Sequence, residues 1–192
     1  HNVKLSFTAS GELAVNTPDQ EVSGSVEEIF PKLTAVKIGS VEQPVLAKRG
    51  DDIRIDWGYL YVAAPSDGKS TQVALASNSG HPPTGGSVRA SVDMDLGSIR
   101  EKPVSRWLVL AYDDLYSIQY MKKNLRPYWR RTGREAADLL QAAANDLPIL
   151  RQRCSDFDKE LMADLTRVGG DDYASLAALA YRQCFAAGKF VA

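Results

Sequence analysis

The spacing of the apolar residues changes near Asp113, and that change limits what the chain can fold into. Before it, hydrophobic side chains recur at every second position. Val3, Leu5 and Phe7 alternate with Lys4, Ser6 and Thr8, and Ile53, Ile55, Trp57, Tyr59 and Tyr61 alternate with Arg54, Asp56, Gly58 and Leu60. Alternation sends one set of side chains to one face, as a half-buried strand requires. Further strands are expected over 33–38, 72–76, 88–94 and 106–112, separated by turn-rich stretches at 77–83 and 84–86. Short strands with such turns and no helices between them predict an antiparallel sandwich.

Beyond Asp113 the spacing becomes three and four. Leu115, Ile118 and Met121 follow helical spacing, and Thr132-Gly133-Arg134-Glu135 has the form of a capping box. An apolar stripe then runs through Ala143, Leu147, Leu150, Cys154, Phe157, Leu161, Leu165 and Val168, which defines one helix face. Pro148 predicts a kink or a new helix start. Gly169-Gly170 closes the segment, Asp171-Asp172 can cap the next, and Tyr173, Leu176, Ala180 and Cys184 form its apolar face. The expected class is α+β: a β-sandwich portion over 1–111, a junction over 112–134, and helices over 135–192. Ala177, Ala178, Ala180, Ala186 and Ala187 favour close helix contact, so these helices read as the opening part of a larger helical domain.

Several functions are disfavoured by composition. The 192 residues carry 23 Lys+Arg against 24 Asp+Glu, a formal net charge of -1, which lacks the basic excess of a dedicated nucleic-acid binder. No apolar run approaches the roughly 18–20 residues of a membrane-crossing helix. Two cysteines, Cys154 and Cys184, cannot build a disulfide framework or a four-ligand zinc site, and their apolar helix faces predict core packing. Neither Asp51-Asp52 nor Asp93-Met94-Asp95 has the spacing of a calcium loop, so no metal and no cofactor is expected. With only His1 and His81, a histidine-based triad would have to use His81 in a loop. The chain opens at His1-Asn2-Val3 without an initiator Met, which reads as a processed form or a piece of a longer chain.

The junction carries the candidate chemistry. Asp113 and Asp114 are adjacent carboxylates where strand gives way to helix. Close carboxylates separate each other's pKa values and suit acid–base work or the grip of an amine. The plainer use of Asp114 is a helix cap. No acidic residue occurs from Leu115 to Arg134, a stretch that holds Lys122, Lys123, Arg126, Arg130, Arg131 and Arg134 beside Tyr128 and Trp129. Such a stretch can hold a carboxylate through a bidentate Arg or a nucleic-acid strand by stacking. As an ordinary interdomain loop it would bury its aromatics and leave its cations in solvent. Trp57-Gly58-Tyr59-Leu60-Tyr61 can form a sugar platform or sandwich core, and core is the commoner fate.

The segments from Trp57 to Ala63, Arg106 to Tyr120 and Leu125 to Trp129, with the helical stretches around Arg153–Leu165 and Tyr173–Gln183, together resemble the glutaminase A family of bacteria and fungi. That resemblance implies a β-sandwich followed by the first helices of an α/α toroid, in a secreted or periplasmic hydrolase converting L-glutamine and water to L-glutamate and ammonia. On it, this chain would be an inactive fragment that needs the remainder of the parent polypeptide. The resemblance supplies no catalytic set that maps onto this chain, so the candidates follow from what such a substrate needs. Asp113 and Asp114 are the candidate catalytic residues, able to hold an ammonium, and Arg126, Tyr128 and Trp129 are the candidate binders of the small-molecule substrate, with Arg126 clamping its carboxylate. Two alternatives stand beside it. One is a carbohydrate-active enzyme of sandwich-plus-toroid architecture. The other is a noncatalytic structural or ligand-binding module, favoured if Asp113, Asp114 and Arg126 are locked in structural ion pairs.

Overall fold

The computed structural model describes residues 2–47, 56–78 and 82–192. The readings made above of His1, Asp51-Asp52, Ile53, Ile55 and His81 lie outside the described residues. The chain runs through β1 (Asn2–Ser10), β2 (Val22–Phe30), β3 (Leu33–Ser40), β4 (Tyr59–Pro65), β5 (Thr71–Ser77), β6 (Val88–Ser98), β7 (Val109–Asp113), β8 (Ile118–Tyr120), β9 (Lys123–Leu125) and α1 (Ala136–Ala186). Two antiparallel sheets, ordered β1-β6-β5 and β2-β3-β4-β7, face each other, and β8-β9 forms a separate hairpin. The expected α+β class, strands first and helix after, is the architecture found.

Alternation explains the layers. On β3 and β4, Val36, Ile38, Leu60, Val62 and Ala64 meet Ala90, Val92 and Met94 of β6 between the two sheets. The intervening residues Leu33, Ala35, Tyr61 and Ala63 point the other way and pack on Ala136 and Leu140 at the start of α1. The central strands of the four-stranded sheet are therefore buried on both faces, and β4 is covered along nearly its whole length. Leu140 is fully buried there, which contributes roughly 2 kcal/mol of transfer free energy. This second core seats the helix on the sheet.

Four local expectations are corrected. Leu115, Ile118 and Met121 lie not on a helix but around the β8-β9 hairpin, where Leu115, Met121 and Lys122 take positive φ. The helix begins one turn later than the Thr132–Glu135 box. Thr132 ends a 3-10 turn, Glu135 is the N-cap, and its backbone N–H donates to Asp138 Oδ2 at 2.9 Å. No new helix starts at Pro148, which lies inside α1; the break falls at Gly170 (φ 79°, ψ -177°), where Gly169-Gly170 is expected to close the segment. Cys154 and Cys184 are exposed free thiols rather than core, because the apolar side of the helical arms is largely uncovered. Leu150, Phe157, Leu176, Leu179 and Phe185 are all exposed along it.

After Gly170 the chain turns back. Phe157 and Tyr181 come together with ring centroids 6.0 Å apart, and Phe185 and Phe190 continue the aromatic row. The last residues then reach the junction. Tyr128 N–H donates to Phe190 O at 2.8 Å, and Arg126 and Ala192 exchange backbone hydrogen bonds at 3.2 and 3.0 Å.

Candidate functional site

Asp113 is the last residue of β7 and continues the Val109–Ala111 row that faces the helix. It is placed opposite Tyr59 in the β4–β7 register. The 3-10 turn Tyr128–Thr132 brings Arg130 beneath it. Arg130 Nε donates to Asp113 Oδ1 at 3.1 Å and Nη2 donates to Oδ2, with both side chains only 3% exposed. Arg130 Nη1 also donates to Glu135, the N-cap of α1. Burial opposes the guanidinium's charge, but the hydrogen bonds and charges of Asp113 and Glu135 outweigh it and hold its pKa above the ordinary value. One buried fork thus joins the last sandwich strand to the first turn of the helix.

Asp114 is held separately. Its Oδ1 accepts from Ser117 Oγ at 3.0 Å and its Oδ2 accepts from Lys189 Nζ at 2.8 Å. Its backbone carbonyl accepts the Trp57 indole N–H at 2.6 Å, which also reaches Tyr116 O at 3.1 Å. No helix follows, so the expected capping role is replaced by a turn anchored to the returning tail. Tyr112 donates its hydroxyl to Trp57 O. Burial, followed by the charge of Asp114, pushes its pKa up to about 12. Burial and the nearby Asp113 charge raise Tyr61 as well. Trp57 and Tyr61 are core, the commoner of their two expected fates.

The predicted substrate-binding residues reach the carboxylates indirectly, Trp129 through Arg130 and Arg126 through Glu135. Arg126 lies over the Tyr116 ring at 5.3 Å and 4.0 Å from Glu135. Tyr128 is exposed and covered by Arg131 at 3.9 Å, while Trp129 stacks under Arg130 at 4.7 Å. Asp113, Asp114 and Arg126 each have a protein partner of opposite charge. Two of the partners, Arg130 and Lys189, carry no site signal in the sequence. Arg130 sits in the basic run, but nothing local distinguishes it from Arg126. Lys189 is 75 residues from Asp114 and leaves no local signal.

The chain matches the model of one family, described as Domain of unknown function (DUF5127), over residues 1–164. No curated protein and no solved structure matches it. The glutaminase A resemblance is thereby corrected. The matching family is a different one, and nothing in the comparisons indicates glutaminase A. The match covers well over half of the sequence, and the chain belongs to the DUF5127 family.

Proposed function

We propose that this chain is a noncatalytic structural module: a β-sandwich that holds a pair of helical arms in a fixed pose for a larger helical assembly. The supporting observation is the saturation of the junction. Asp113 is neutralised by a buried Arg130 and Asp114 is held by Ser117 and Lys189, while Arg126 lies over Tyr116 with a looser, solvent-exposed approach to Glu135. A general acid or base must reach a substrate proton, and these carboxylates face protein cations instead. The uncovered apolar side of the arms, with its small alanine side chains, suits further helices of the parent polypeptide.

The test is an assay of this chain for ammonia release from L-glutamine and for hydrolysis of a glycan panel, alongside Asp113→Asn and Asp114→Asn. The proposal expects both substitutions to lower the unfolding midpoint. No turnover is also expected, but an incomplete enzyme fragment would share that result, so the midpoint shift carries the test. Turnover abolished by Asp114→Asn in a protein that keeps the parent's midpoint would overturn it.

A further inference from the structure

Among the described residues, nothing closes one end of the sandwich. Along β1 the inward side chains lose cover step by step: Ala9 is 3% exposed, Phe7 is half-buried, and Leu5 is 53% exposed. Their β6 partners Val92 and Met94 stand opposite Phe7 and Leu5 in register. The facing sheet ends with the short β7, and the stretch 104–108 leading into it forms the far wall. Between these walls lies a cleft of about 460 Å³, lined by Leu5, Phe7, Met94, Leu96, Val104 and Trp107 together with Arg106. That volume falls within the roughly 300–1,000 Å³ of small-molecule sites, which are mostly apolar with a few polar groups.

Among the described residues lining the cleft, Arg106 is the charged one. Its Nη1 donates to Ser105 O at 3.0 Å, and no carboxylate among the described residues pairs with it. The contrast with Arg130 is direct, because that guanidinium is fully engaged. We infer that this cleft binds an amphiphilic carboxylate, its apolar body between β1 and the 104–108 wall and its carboxylate forked on Arg106. Charge complementarity selects the headgroup, since a guanidinium offers paired N–H donors matched to a carboxylate. An alcohol tail would gain the burial without the fork, and an amine would meet a like charge. This inference is independent of the structural role given to Asp113 and Asp114.

Calorimetric titration of the chain with octanoate, octanol and octylamine tests it. Octanoate should bind saturably at one site, at least about tenfold tighter than octanol, with octylamine weakest. Arg106→Gln should bring octanoate down to the octanol value while leaving octanol binding and the unfolding midpoint unchanged. Val104→Asp, on the partly exposed wall, should weaken octanoate further. Absence of saturable octanoate binding, equal affinity for octanoate and octanol, or octanoate binding unchanged in Arg106→Gln would each overturn the inference.

Discussion

Lys189 Nζ lies 2.8 Å from Asp114 Oδ2 and ties the tail that returns from the helical arms to the turn that leaves the sandwich. With the backbone pairing of Arg126 and Ala192, it closes the hairpin of arms onto the sheet. The Lys189 side chain is 40% exposed against 11% for Asp114, so the pair is partly screened by solvent. Lys189→Ala is expected to lower stability by about 0.5–1 kcal/mol, measured by urea unfolding. The difference from the parent should shrink at high salt.

Gly58 precedes β4 with φ +89°, and a Cβ there would strike the Asp113 carbonyl oxygen and come within 2.9 Å of Asp114 Cα. Gly58→Ala combines left-handed backbone strain with a clash against the residues that carry the junction. A loss of at least about 2 kcal/mol is expected. Urea unfolding would show it, together with changed near-UV dichroism as Trp57 shifts.

The tyrosines at the junction predict alkaline behaviour. Tyr112 has a pKa raised to about 12 by burial and then by Asp114, against about 10 in an unfolded chain. A raised pKa means that the folded state keeps its proton longer. The stabilisation is therefore complete below about pH 10 and is lost as pH rises toward 12. Unfolding midpoints should fall across that window, and Tyr112→Phe should reduce the fall. A midpoint that stays flat across the window in the parent would contradict the assignment.

Much of the sandwich can be read from alternation, because β5 and β6 each bury a regular face, and the doubly buried β3 still reads as a short apolar run. Strand β2 escaped because Val22-Ser23-Gly24-Ser25-Val26-Glu27-Glu28 offers few apolar residues to alternate. The β8-β9 hairpin was misread as helix because residues that ordinarily avoid positive φ, Leu115 and Met121, take it there. At the junction the adjacent carboxylates are visible in sequence, but their chemistry is set by partners at positions 130 and 189, which only the folded chain brings close. The same carboxylate pair reads as catalytic or structural depending on whether those cations arrive.

The most direct test of the structural reading is a mutant cycle on the buried fork: Asp113→Leu, Arg130→Met and the double replacement, each followed by urea unfolding. Either single change strands a buried charge, although Glu135 partly shelters Arg130, and should cost about 3–5 kcal/mol. The double replacement removes both charges and should recover to within about 1 kcal/mol of the parent. Single replacements as stable as the parent, or a double replacement whose loss equals the sum of the two, would contradict the claim that Asp113 and Arg130 act together as the clamp between sheet and helix.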